Sequence, residues 1–279
     1  MPAPLHFSSP GAAWSVRDPA ELALRIRLQA VRMVAPQGFG YLGQALSAAE
    51  QVAAVFAAAR PGRDRLVCSP GHYVIAPFAA ATALGLLTEE AAATYGRNGS
   101  AIEAIGTERS PVVDYTCGSL GQGLSAAAGF ALSDRLRGAD RRTYALVSDG
   151  ELEEGQLWEA AIFAAHHRLA SLTVLLDANN SQVDGPVDTI TTLEPIAGKW
   201  TAFGWHAVDL DGHDVEAVLA ALRAAEADDR PSVLVCRTST GHGLDCLPDD
   251  ADGHFIKLPP ELAEAAEAEL TAKLEAHSA

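Results

Sequence analysis

Two apolar runs, Tyr144 to Ser148 and Leu172 to Asp177, bracket a helical pattern, and each leads into a polar residue at a loop: Asp149 after the first, Asn179 after the second, 30 residues apart. No other feature limits the possible folds as much. Each run is short and bounded in the manner of a buried strand. Between them Leu157, Ala160, Ala161, Ala164 and Ala165 share one helical face, flanked by Trp158 and Phe163. The unit reads as β-α-β, and parallel strands joined in this way deliver the residues that follow them to the carboxyl edge of the sheet, where ligands bind. Taken singly, Asp149 reads as a turn residue and Asn179-Asn180 as a loop. Taken at this spacing, a carboxylate, an amide oxygen and a nearby backbone carbonyl form a set of hard donors of the kind Mg2+ takes together with phosphate oxygens.

The rest of the chain repeats the alternation. Asp18-Pro19 reads as the N-cap and first position of a helix reaching Val34. A glycine-rich loop, Gln37 to Gly43, follows, and Ser47 with Glu50 three residues on reads as a capping box for a helix from Ser47 to Ala59. Arg65 to Cys68 reads as a strand, with His72 in the turn after it and a helix from Val74 to Leu87, and Thr88 caps a further short helix. Residues 96–115 form an irregular loop, and helices are expected over 124–137, 191–203, 215–227 and 260–276, with strands over 205–211 and 232–238. This order predicts an α/β fold, a doubly wound, mostly parallel sheet with helices on both faces. Residues 1–16, rich in Pro, Ser and Ala, read as an N-terminal arm, and residues 17–279 as a single domain.

Charge narrows the function. Twenty Lys and Arg stand against 36 Asp and Glu, a net charge of −16. Such a chain has no electrostatic attraction for nucleic acid or an anionic membrane. It has no run of 18 apolar residues, and MPAPLHFSSP lacks a charged segment leading into an apolar one, so a cytoplasmic protein is expected. The four cysteines show no C-x-x-C pairing and read as reduced packing residues. The glycines at 118, 121 and 123 do not match the dinucleotide fingerprint, and there is no P-loop.

Further residues carry a resemblance. Glu151-Leu-Glu-Glu-Gly-Gln-Leu-Trp-Glu-Ala160, followed by Asn179-Asn-Ser-Gln-Val-Asp-Gly185, resembles the signature of the transketolase family of thiamine diphosphate enzymes. Ser69-Pro-Gly-His72, Thr116-Cys-Gly-Ser-Leu-Gly-Gln-Gly123 and the segment from His254 to Pro259 are similar to its other motifs, so the resemblance spans about residues 17–260. Four positions depart from the pattern: Ser148 and His242 replace the usual glycine and lysine, and Tyr41 and Ala104 stand where the family has histidines.

The resemblance implies a thiamine diphosphate-binding PP domain with thiamine diphosphate and Mg2+ as cofactors. Asp149, Asn179 and the Ser181 carbonyl would ligate the metal. Gly118 and Leu120 would face the cofactor rings, Gly150 the phosphate, and Ser119 and Glu151 are grouped with these cofactor-binding residues. His72 and His254 would reach the diphosphate and, with Glu154 at a subunit contact and Tyr41, form the catalytic set. A chain of this anionic balance would hold a diphosphate through a divalent cation, backbone N–H groups and histidines. The family's pyrimidine-binding (Pyr) domain has no counterpart here. The resemblance therefore implies one subunit of a split transketolase-like transferase, paired with a separate Pyr-domain subunit in a heterotetramer with two copies of each. Its substrates would be a ketose phosphate-like donor and an aldehyde acceptor. Tyr41 has an ordinary pKa near 10 and is a poor neutral-pH base, and Ala104 carries no proton at all, so the donor or acceptor is expected to differ from the family's usual one. A 2-oxo-acid-using acyl-transfer subunit is the related alternative, and a non-catalytic scaffold is the alternative of another class.

Overall fold

The structure, a computed structural model, describes residues 6–248 and 250–279. Its first half runs α1 (Pro19–Val34), β1 (Phe39–Gly40), α2 (Leu42–Ala58), β2 (Arg65–Pro70), α3 (Ile75–Ala83), α4 (Glu89–Ala92), β3 (Tyr115–Cys117), α5 (Gln122–Leu136) and β4 (Thr143–Ser148). There follow α6 (Gly155–His166), β5 (Leu172–Ala178), β6 (Ser181–Gln182), β7 (Gly185–Pro186), α7 (Val187–Ile190) and α8 (Ile196–Ala202). The chain closes with β8 (His206–Asp211), α9 (Val215–Ala227), β9 (Ser232–Arg237), β10 (Ile256–Lys257) and α10 (Pro260–His277).

Six strands pair in the order β3-β2-β4-β5-β9-β8, every pair parallel. Alternation along these strands builds two separate cores. Leu66, Cys68, Tyr144, Leu146, Leu175, Leu234 and Cys236 face the layer of α1, α2, α3, α9 and α10. Val67, Ala145, Val147, Val174, Leu176, Val233 and Val235 face the layer of α5, α6 and α8. Both faces of the sheet are thus covered, as an all-parallel sheet requires. From β2 the chain goes outward to β3 and then returns to the other side of β2 as β4. The strand order reverses between β2 and β4, so a crevice opens at their carboxyl ends. Among the described residues, no helix is long and apolar enough to cross a membrane.

Several local expectations hold. Asp18 caps α1, accepting the N–H groups of Ala20 and Glu21, and Thr88 caps α4. Of the expected N-terminal arm, residues 1–5 lie outside the described residues. Phe7 is buried and packs on Trp14 and Phe56, with centroid distances of 4.7 and 5.1 Å. Cys68 and Cys236 are buried and Cys117 and Cys246 partly so, all as free thiols.

Two expected boundaries are corrected. Ser47 does not cap a helix: α2 starts at Leu42, and Ser47 and Glu50 are buried inside it. The apparent capping box is spent on tertiary contacts instead. Ser47 donates to Asp177, while Glu50 receives both guanidinium nitrogens of buried Arg27 at 2.7 and 2.6 Å, tying α2 to α1. The helix expected from Thr191 begins only at Ile196, because Pro195 disfavours helical geometry in the residue before it.

Gly123, in the first turn of α5, lets that helix lie directly on the end of β2. A Cβ there would stand 2.4 Å from Ser69 Cα and 2.5 Å from its Oγ, and Gly123 N–H donates to the same Oγ. Gly123→Ala should therefore cost about 1–3 kcal/mol by overpacking. A thermal melt checks this: a midpoint equal to that of the unsubstituted chain would show that the helix can shift freely.

Candidate active site

The register of β4 on β5 positions the acid and the amide. Ser148 pairs with Asp177, so Asp149 leaves the sheet beside Ala178, one residue short of Asn179. The Asn180 N–H donates to Asp149 Oδ2 at 2.7 Å, and Gly150 N–H to Oδ1 at 2.9 Å. Asn180 adopts a left-handed backbone (φ 57°), a conformation that asparagine tolerates, and the chain turns there into the β6–β7 hairpin.

Beneath the pair lies a residue that sequence reasoning missed. Asp177, the last acid of the β5 run, is buried and accepts five hydrogen bonds: from Ser47 Oγ (2.6 Å), Gln51 Nε2 (2.7 Å), Tyr73 OH (2.8 Å), Asn179 Nδ2 (2.7 Å) and Thr238 Oγ1 (2.6 Å). An acid inside an otherwise apolar strand was the available signal. The network decides how Asn179 points. Its NH2 group is held by Asp177 and also donates to Tyr73 OH at 2.9 Å, so Oδ1 faces the other way, where it accepts Ser181 N–H at 2.9 Å.

A cavity of about 280 Å3 opens at this edge of the sheet, walled by His72, Gly118 and Leu120 on one side and Gly150, Ser181 and His254 on another, with Glu154 at its rim. The turns after β2, β3, β4 and β5 and the segment before β10 converge here. The imidazoles of His72 and His254 lie 5.0 Å apart, and the Tyr41 ring stands 5.1 and 5.8 Å from them. Asp149 and Asn180 border a neighbouring cavity of similar size. Ser119 is exposed in the loop before α5.

Glu151 needs a correction. It is fully buried below the cavity floor, where its carboxylate accepts from Ser69 Oγ (2.6 Å), Gly121 N–H (2.7 Å) and Ser148 N–H (3.2 Å). Its side chain knits three loops together and, being fully buried, does not face the cavity. Ala104 joins the apolar packing, and His242 lies outside the cavity wall, stacked on His213 at 3.6 Å. Glu50, His213 and His242 come close enough to suggest a second metal site. The proton count excludes it: His213 Nε2 accepts the Ser239 N–H, so the neutral ring carries its proton on Nδ1, facing Glu50, and has no lone pair to spare.

Electrostatics at the site are set by burial. Burial, followed by the charge of Asp177, raises the Asp149 carboxyl to about 7, and burial alone dominates in raising Glu151 to about 7. Burial and His254 push His72 down to about 3, burial lowers His254, and burial raises the Tyr41 phenol. Among the described residues, Asp149 and Asp177 have no Lys or Arg partner. The Asp149 carboxylate, the Asn179 amide oxygen and a nearby carbonyl, with no protein cation beside them, make a donor set that fits Mg2+.

These shifts give a signed prediction. Glu151 keeps its proton to about pH 7 when folded but only to its ordinary 4.5 when unfolded. The folded chain therefore binds the extra proton between those values, and Glu151 takes stability away as pH rises through them. Buried His72 works in the opposite direction, losing stability as pH falls below its ordinary 6.5. A comparison of variants cancels that contribution. Relative to the unsubstituted chain, Glu151→Gln should gain on the order of 3 kcal/mol between pH 4.5 and 7. Melting curves across that range check it, and a difference independent of pH would rule it out.

Comparison with known proteins adds the family. The profile described as "Transketolase, thiamine diphosphate binding domain" matches residues 19–269. The chain belongs to the transketolase family. A transketolase family protein of Sinorhizobium fredii is 38% identical over 258 residues, covering 88% of this chain and 92% of the relative. The 6-deoxy-6-sulfo-D-fructose transketolase subunit of a Clostridium species is 37% identical over 256 residues, covering 88% and 93%. A solved transketolase from Campylobacter jejuni shares the fold, with a TM-score of 0.84 at 24% identity over 92% of this chain. This transketolase family member spans 43% of that longer chain.

Proposed function

We propose that this chain is the thiamine diphosphate-binding subunit of a two-component transketolase-like transferase, moving a two-carbon ketol unit from a ketose phosphate-like donor to an aldehyde acceptor. One observation carries the reading: Asp149 and Asn179 follow the adjacent strands β4 and β5, beside the point where strand order reverses, and the buried Asp177 network turns the Asn179 amide oxygen away from itself.

Asp149, Asn179 Oδ1 and the Ser181 carbonyl would hold Mg2+, and the metal would neutralise a diphosphate that no Lys or Arg of the cavity can reach. Thiamine diphosphate, when bound, supplies the nucleophilic carbon and the electron sink. The protein's own groups bind and orient. Gly118 and Leu120 offer a close backbone approach for the rings. His72, neutral at pH 7, and His254 offer ring N–H groups to anionic oxygens. Tyr41, which stays protonated, can donate a hydrogen bond to a substrate oxygen but cannot take a proton from it. Glu154, exposed where α6 begins, would lie at a subunit contact.

A separate subunit carrying the Pyr domain would complete the site, in a heterotetramer with two copies of each chain. Support comes from lengths: the Clostridium relative, named a transketolase subunit, is matched over 93% of its length, whereas the longer transketolase is matched over 43%. A cytoplasmic setting would keep the buried thiols of Cys68 and Cys236 reduced.

Calorimetry of thiamine diphosphate binding to the two-subunit complex, with and without Mg2+, tests this, followed by turnover of ketose phosphates and 2-oxo acids. Binding should need the divalent ion and ketose turnover should need both subunits. Turnover of 2-oxo acids alone would select acyl transfer, binding with no turnover would select a scaffold, and metal-independent binding would remove the proposed site.

A further inference from the structure

Behind His254, which lines the cavity, lies a buried amide whose two donors have a single consistent use. Gln44, in the first turn of α2, is buried, and its Nε2 stands 3.1 Å from the His254 carbonyl oxygen and 3.3 Å from His254 Nδ1. A carbonyl oxygen only accepts, so Gln44 must turn its NH2 group, not its oxygen, towards this pair. The reverse orientation would set two oxygens against each other and leave two buried N–H groups without partners, where the observed one leaves only Oε1 without one. With one N–H of Gln44 serving the carbonyl, the other meets Nδ1, which must present a lone pair. The proton of the neutral imidazole then sits on Nε2.

The backbone around this contact is closely packed. A Cβ on Gly43 would fall 2.0 Å from the Gly253 carbonyl oxygen, so the start of α2 rests on the chain just before His254. On the other side, β1 pairs with β10, placing Gly40 opposite Ile256, and Leu258 N–H donates to the Gly38 carbonyl at 2.7 Å. Gln44 and His254 are therefore clamped from both sides.

We propose that Gln44 is a positioning residue that fixes His254 as the Nε2–H tautomer, so that His254 meets its ligand in the cavity as a hydrogen-bond donor. The tautomer is a property of the free chain. Only its consequence rests on the function proposed above: the donor then faces an anionic group, a diphosphate or substrate oxygen. A histidine with its lone pair on Nε2 would repel the same group.

The test reads the proton itself. In the full chain labelled with 15N-histidine, long-range proton–nitrogen correlation spectra above neutral pH distinguish a protonated ring nitrogen from a bare one, and His254→Asn assigns the resonance. The unsubstituted chain should show Nε2–H, favoured by about tenfold. Gln44→Glu replaces the donor by a group that accepts, so Nδ1 should become protonated. Nδ1–H in the unsubstituted chain overturns the proposal, and so does an unchanged tautomer in a folded Gln44→Glu chain. In the two-subunit complex, Gln44→Met, which keeps the volume, should weaken Mg2+-dependent thiamine diphosphate binding about tenfold. Failure of the complex to bind thiamine diphosphate at all would count against the function and leave the tautomer result standing.

Discussion

Asp149→Asn should abolish Mg2+-dependent thiamine diphosphate binding and, in the same protein, raise the melting temperature of the metal-free chain above neutral pH. The two effects share a cause. Asp149 is 3% exposed, faces the charge of Asp177, and has only two backbone N–H groups for company. Its carboxyl rises from 3.8 to about 7. Ionising it therefore costs the fold on the order of 4 kcal/mol, at 1.36 kcal/mol for each tenfold change in proton affinity. A raised carboxyl pKa means that this cost is absent at acid pH, builds between about 4 and 7, and is complete above that. Asparagine removes the charge but must turn its NH2 towards one backbone N–H, giving back roughly 1–3 kcal/mol. A net gain of about 1–3 kcal/mol should remain at pH 8. Calorimetry and thermal melts on one preparation decide both halves. Retained binding, or a melting point that falls at pH 8, would mean that Asp149 is not the strained, cation-seeking group described above.

Asp177→Ala should be the most damaging single change near the site. Five donors converge on that carboxylate, and removing it strands buried groups on Ser47, Gln51, Tyr73 and Asn179 as well as Thr238. Each stranded buried donor costs about 1–3 kcal/mol, although water entering the gap recovers part of it, so a loss of roughly 4 kcal/mol or more is expected. The Asn179 amide also becomes free to turn. Groups that orient a metal's ligands typically carry a factor of about 10–100 in metal affinity. A melt and a Mg2+ titration in the presence of thiamine diphosphate test the two effects separately. Loss of stability with unchanged metal affinity would show that the amide is oriented by something else.

The sheet and the acid–amide pair were legible because strand patterning and spacing are local. Leu66/Val67 and Leu146/Val147 alternate between the two cores as their sequence order requires, and Asp149 and Asn179 follow their strands directly. What misled was polarity turned inward. Ser47 and Glu50 carry the spacing of a capping box, yet each side chain reaches across the fold, to Asp177 and Arg27. Glu151 sits in the motif beside the site, but its oxygens are taken by Ser69, Gly121 and Ser148. Asp177 looked like the tail of a strand. In each case most of the partners lie far along the chain, and no local pattern shows which distant donor a buried oxygen will meet.

The five-donor clamp also has a kinetic meaning. Four of its donors sit at positions 47, 51, 73 and 238, on segments that meet only after the chain has closed long loops. A contact absent from the folding transition state shows its loss as faster unfolding and leaves the folding rate nearly untouched, and that is the behaviour expected of this clamp. In stopped-flow denaturant jumps, the unfolding limb of Asp177→Ala should rise while its refolding limb overlays that of the unsubstituted chain. The cofactor cradle would then be the last part of the domain to assemble and the first to come apart.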